Sequence, residues 1–278
     1  MTVPVYPTKV SWLNSKVSAM PEPTIQLFLF PGPSATSRAC TVATLAPGWK
    51  VLCGGAQVVL SEPSGQNNML TASYPMAQNQ WTALSKDQDI ESPATINVYI
   101  FALHDPDDNY DVQIVSSTTT IPTFWPTATA TLLPGYVLVG GGAQANFGSA
   151  GQFLVASAPT PDMKSWTARS QDHIYSDPGT VTAYAIGIRP RAGAMSIQTL
   201  LASQTSLTPQ SAADEDLPAT SPSRLIGGGA AVVATGSYGN LLTGSYPRTE
   251  QEWHAVSHDH LKPDPANITV FAIGALFS

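Results

Sequence analysis

Three tryptophans, 85 and 87 residues apart, each open the same pattern, Trp-x-Ala-x-Ser-x-Asp, at Trp81–Asp87, Trp166–Asp172 and Trp253–Asp259. A proline follows each aspartate at the same spacing (Pro93, Pro178, Pro265). Upstream, each copy carries a glycine run ending in alanine: Cys53-Gly-Gly-Ala56, Gly140-Gly-Gly-Ala143 and Gly227-Gly-Gly-Ala230. Between run and tryptophan stands Ser-x-Pro (Ser73-Tyr-Pro75, Ser157-Ala-Pro159, Ser245-Tyr-Pro247). A register held three times identifies three diverged copies of one unit of about 80 residues. We read residues 1–278 as one domain: an N-terminal arm (1–23), then repeats at 24–103, 111–189 and 195–278.

Each unit reads as five or six short strands. Charged residues are scarce at 11%, while 24 prolines and 21 glycines punctuate Thr-, Ser- and Val-rich stretches without helical periodicity. Strand side chains alternate between faces, so Trp, Ala, Ser and Asp share one face, unchanged in all copies. That face is expected to be packed, its aspartate accepting backbone amides at a corner. The rival reading makes Trp and Asp three equivalent sugar sites. The opposite face varies: Lys86 in the first copy, Arg169 in the second, and His254, His258 and His260 in the third. Glycines within a strand mark a place where a backbone or ring approaches closely. The expected fold is all-β, a three-fold pseudo-symmetric, β-prism-like assembly of three sheets.

That repetition with glycine-rich strands resembles the β-prism of vitelline-membrane outer-layer proteins and jacalin-type lectins, and the likeness implies carbohydrate binding. The wording of the repeat (Gly-Gly-Gly-Ala, Ser-Tyr-Pro, Asp-His, Ala-Ile-Gly) is similar to secreted proteins of fungal secondary-metabolite clusters, among them hetero-Diels–Alderases. That second likeness implies a cofactor-free cyclase acting on a neutral hydrophobic guest.

A net charge of −7 with 12 basic residues excludes a nucleic-acid partner, which requires a basic field. No apolar run is long enough for a membrane span. No nucleophile elbow, zinc-protease motif or phosphate loop is present, and no cofactor or metal is expected. The three histidines are expected to form a solvated or pocket-lining face. Asp105, Asp107, Asp108 and Asp111 are expected to form a solvated turn, and Asp214-Glu215-Asp216 a loop. Cys40 and Cys53 flank an expected hairpin at Ala46-Pro47-Gly48, where a disulfide and two separate thiols are both open readings. These cysteines and the Asn267-Ile-Thr269 sequon favour secretion, although the first residues lack a signal sequence's basic and apolar regions.

Symmetry is broken by aromatics. Ile121-Pro-Thr-Phe124-Trp125-Pro126 stands where the other copies carry Gly32-Pro-Ser-Ala and Leu207-Thr-Pro-Gln. Exposed aromatics on a rigid loop cap either a core or a ligand. The leading expectation is one asymmetric pocket for a small hydrophobic organic molecule, with Trp12, Tyr110, Phe124 and Trp125 contacting it and Lys86, Arg169 and His258 as catalytic donors. The alternative is a lectin binding glycan at sites repeated in the three copies.

Overall fold

The computed structural model describes residues 22–61, 68–233 and 240–278, which contain strands and no helix. The first repeat supplies β1 (Thr24–Phe30), β2 (Cys40–Thr44), β3 (Trp49–Leu60), β4 (Asn68–Ala77), β5 (Gln80–Asp87) and β6 (Ala94–His104). The second supplies β7 (Tyr110–Thr118), β8 (Thr127–Thr131), β9 (Val137–Asn146), β10 (Gln152–Pro159), β11 (Ser165–Asp172) and β12 (Thr180–Pro190). The third supplies β13 (Ile197–Thr205), β14 (Ala212–Pro218), β15 (Arg224–Val233), β16 (Leu241–Pro247), β17 (Glu252–His258) and β18 (Asn267–Phe277). Residues 1–21 of the arm, Trp12 among them, lie outside the described residues.

These strands form three antiparallel six-stranded sheets, ordered β1-β6-β3-β16-β17-β14, β13-β18-β15-β10-β11-β8 and β7-β12-β9-β4-β5-β2. No repeat makes a sheet by itself. Each gives its first, sixth and third strands to one sheet and its fourth, fifth and second to the next, so the three copies interlock in a ring. Within each sheet, the seam between repeats pairs the alanine of a glycine run with the serine of another copy's Ser-x-Pro: Ala56 with Ser245, Ala143 with Ser73, Ala230 with Ser157.

The glycine runs are explained position by position. A Cβ on the middle glycine (Gly54, Gly141, Gly228) would lie under 3.0 Å from the indole of Trp81, Trp166 or Trp253 respectively. A Cβ on the last glycine (Gly55, Gly142, Gly229) would strike the neighbouring repeat's backbone at the seam. The first positions are Cys53, Gly140 and Gly227, and a Cβ on either glycine would crowd the Cys53 side chain. Three equivalent positions thus converge on the axis with room for one side chain, and Cys53 supplies it.

The expected packed face is confirmed. Trp81, Trp166 and Trp253 are at most 1% exposed, with the alanines and serines of the same face buried beside them. Each indole Nε1–H donates to the Ser-x-Pro serine of its own copy (Ser73, Ser157, Ser245), all at 3.0 Å. At the strand ends Asp87 accepts the Ser92 amide at 2.9 Å and Asp259 the Asp264 amide at 3.1 Å, while Asp172 is bonded by the Asp177 amide. Buried indoles have no face open to a sugar, so the Trp–Asp sugar site has no geometric basis.

Three local expectations are corrected. The hairpin around Pro47 does not form: β2 pairs with β5 in the third sheet and β3 with β6 in the first. Cys40 is exposed, Cys53 is buried, and both are free thiols. Asp105 is no solvated turn residue; it is buried, bonded to Lys50 Nζ at 2.8 Å and accepting the amides of Asn109 and Tyr110. Asp214-Glu215-Asp216 lies within the edge strand β14, where pairing with β17 overrides weak intrinsic strand preference.

Two outcomes are expected. Gly141→Ala, which forces a methyl into the Trp166 ring, should lower unfolding free energy by about 1–3 kcal/mol in denaturant titration, and Trp166→Ala by about 3–5 kcal/mol. Cys40 should react with a thiol reagent in the native protein, whereas Cys53, its thiol pushed up to about 11 by burial, should react only after unfolding.

Candidate functional site

The chemistry-bearing residues singled out from the sequence gather mostly at one end of the prism, where β5, β11 and β17 finish; we call it the upper end. Each of these strands runs into a tight corner. The amide of Ile90 donates to Gln88 O at 2.8 Å, that of Tyr175 to His173 O at 2.6 Å, and that of Lys262 to His260 O at 2.6 Å. The residues between, Asp89, Ile174 and Leu261, have φ of 67°, 61° and 58°. Three-residue turns with a positive central φ are rare and strained, and persist only where their surroundings hold them. Here the aspartate caps hold them, together with bonds between repeats: His260 Nε2 to Gln88 O at 2.9 Å and His173 Nε2 to His260 O at 2.6 Å. The two imidazoles lie 5.1 Å apart between ring centroids, and both are buried.

The three expected donors lie on three different sheets, each with partners of its own. Lys86 is buried on β5, its Nζ bonded to the carbonyls of Ser149 and Ala150 at 3.1 and 2.5 Å and facing the Phe147 and Phe153 rings. Burial, then Arg38, lowers its pKa. Arg169 on β11 donates to Val232 O at 2.9 Å, and burial lowers its pKa. His258 on β17 is buried, with Nδ1 2.7 Å from Asp259 O and a pKa lowered by burial. Lys86 and His258 occupy equivalent positions five residues after their tryptophans; Arg169 sits two residues nearer its own. His254 lies apart from His258 and His260, with Nδ1 2.7 Å from Asp216 Oδ1. Among the described residues no group of three His, Cys, Asp or Glu side chains is arranged to hold a metal.

Tyr110 is at the opposite, lower end. It is nearly buried and lines a cleft of about 380 Å³ together with Thr24, His104, Asp107 and Met195. On the axis, the interior keeps a cavity of about 20 Å³ walled by Gly54, Gly141, Gly228 and the three Ser-x-Pro serines. That is room for about one water and none for an organic guest.

Phe124 and Trp125 are 42% and 61% exposed at the upper end, paired edge to face at 6.0 Å. Their loop is rigidly fastened. Thr123 exchanges two backbone bonds with Gly179 at 2.9 and 3.0 Å, Phe124 O accepts the Asp172 amide at 3.0 Å, and Gln152 Nε2 donates to Thr123 O and Asp177 O, both at 3.1 Å. The pair does not stand alone. Of thirteen large apolar side chains exposed among the described residues, nine sit at this end: Val59, Ile90, Ile121, Phe124, Trp125, Tyr175, Leu207, Val233 and Leu261. All three repeats contribute.

Sequence reasoning found the aromatic pair through its departure from symmetry. It missed Gln152, which anchors that loop, and the single aliphatics Leu207, Ile90 and Leu261. The one signal for the latter two was their place just past the repeated Asp. No protein-family model matches this chain, and no curated protein matches it.

The buried histidines make stability depend on pH. Burial, then His173, holds the His260 pKa down to about 4, against 6.5 for a free imidazole. Such a group protonates first in the unfolded chain, so stability is full above pH 6.5 and is lost as pH falls toward 4. The thermal midpoint should therefore drop by several degrees between pH 7 and pH 4.5, and drop less in His260→Gln; equal slopes would refute the assignment.

Proposed function

We propose that this protein binds a neutral, apolar small molecule, one per chain, at the upper end of the prism against Phe124 and Trp125. The carrying observation is a fastened, solvent-exposed aromatic pair present in one repeat of three. An exposed indole costs hydration free energy unless something covers it, and a loop pinned by Gln152 and Asp172 loses little entropy on binding. The protein's acidic balance disfavours an anionic guest.

Catalysis is a natural extension of this reading. A cyclisation of the hetero-Diels–Alder type needs no cofactor, and holding the reacting groups in a near-attack pose supplies roughly 7–11 kcal/mol. A polar donor would add to this. Lys86 and Arg169 already donate to backbone carbonyls, so their part is to brace the upper end; binding is the primary function we assign.

The test uses a neutral fluorescent dye, N-phenyl-1-naphthylamine, titrated into the protein in lipid-free buffer. One site per chain is expected, with quenching of indole emission. Trp125→Ala should weaken binding at least tenfold while leaving the thermal midpoint unchanged, because that side chain is largely exposed. Three equivalent sites, unaltered binding in Trp125→Ala, or selective binding to immobilised glycans in place of the dye would each overturn the proposal.

A further inference from the structure

The nine exposed apolar side chains reach well beyond one guest site. They come from seven separate corners, strand ends and loops in all three repeats, arranged around the pseudo-three-fold axis. The most exposed is Leu207, 100% exposed in the loop of the third repeat that corresponds to the Phe124–Trp125 loop of the second. Side chains projecting around a rotation axis suit a broad, deformable surface better than a single rigid ligand.

We infer that the upper end docks on the surface of a zwitterionic phospholipid bilayer. The inference rests on the proposed apolar binding face and extends it from a dissolved guest to a lipid surface.

Three further observations support it. First, the backbone at the tips needs little water. The corner amides of Ile90, Tyr175 and Lys262 are bonded within their own turns, Thr123 and Gly179 satisfy each other, and Gln152 donates to the Asp177 carbonyl as well as to that of Thr123. Backbone polar groups that approach lipid must be paired internally, and these are. Second, the residue kinds are those of a membrane interface: Trp125 and Tyr175 carry amphipathic rings suited to headgroup level, and Leu207, Ile121 and Phe124 are suited to the acyl boundary just beneath. The Tyr175 hydroxyl donates to Asp89 at 2.6 Å, which ties this ring of the second repeat to the corner of the first. Third, the charge selects the lipid. The corners carry Asp89, Glu91, Asp177, Asp259 and Asp264, against Arg38 and Lys262 in the loops around them. An acidic excess is repelled by anionic headgroups and tolerated by zwitterionic ones, whose outer cationic group also favours carboxylates and aromatic faces. Among the described residues this end carries no basic patch, and apolar contacts of this kind give shallow, reversible attachment.

The experiment is flotation of the full chain with phosphatidylcholine vesicles, alongside vesicles in which a third of the lipid is phosphatidylserine. Indole emission is recorded with and without lipids brominated on the acyl chain. The expected result is co-flotation with phosphatidylcholine, weaker association with the anionic vesicles, and bromine quenching that disappears in Trp125→Phe. The double variant Leu207→Glu, Trp125→Glu should partition at least tenfold less. Both positions are exposed, so the fold is preserved, and a matching thermal midpoint verifies it. No association with phosphatidylcholine, stronger association with the anionic vesicles, or equal partition of the double variant would overturn the inference. So would a concentration-dependent dimer that the double variant abolishes, since a second copy would then be the occupant. Dye binding in lipid-free buffer separates the two readings: dye bound without flotation defeats the bilayer inference alone, whereas loss of dye binding defeats the small-molecule reading as well.

Discussion

Every sheet in this protein depends on an indole lying flat against a bare stretch of backbone. Trp81, Trp166 and Trp253 rest on Gly54, Gly141 and Gly228, close enough that even a methyl group would not fit between. The contact removes a large apolar ring from water and lets the three glycine strands crowd the axis. The polar edge of each ring is satisfied by the serine of Ser-x-Pro, so no buried N–H is left unpaired. Spacing between tryptophan, serine and glycine is therefore held tightly while neighbouring positions drift.

Interlocking follows from the same packing. Because each repeat divides its strands between two sheets, its tryptophan strand and its glycine strand belong to different sheets, and the indole ties one to the other. No repeat encloses its own core. The axis also explains why perfect symmetry is impossible: three equivalent positions meet where one side chain fits, so one copy carries Cys53 and the other two carry glycine. Departure from symmetry is here a packing requirement. At the Phe124–Trp125 loop the same departure has no internal explanation, and there it points outward to binding.

The upper end combines strain with restraint. Three corners hold non-glycine residues at positive φ, and each is fastened by a capping aspartate; imidazole–carbonyl bonds then link them from repeat to repeat. Lys86 belongs to this bracing, its ammonium drawn under the Phe147–Gly151 loop by two carbonyls. Rigidity of the frame is what allows loop side chains such as Trp125 to stay extended into solvent. A flexible loop would fold them back onto the nearest apolar surface.

How much could be read in advance divides along a physical line. Periodicity-two alternation is local, so the chain by itself determined that Trp, Ala and Ser of each repeat face inward, that aspartate closes the corner, and that the glycines admit a close neighbour. Departure from the repeat was likewise visible at Phe124 and Trp125. Partner choice is not local. Which sheet takes β2 and which takes β3 depends on contacts far apart in sequence, and that alone separates Cys40 from Cys53 and turns Asp214–Asp216 from loop to edge strand. Exposure is a property of the finished surface: Lys86 looks like a free donor and Leu207 like an incidental loop residue until the ring closes, burying the first and leaving the second in water. Only the assembled tertiary structure decides those fates, because burial is set by what arrives from other repeats.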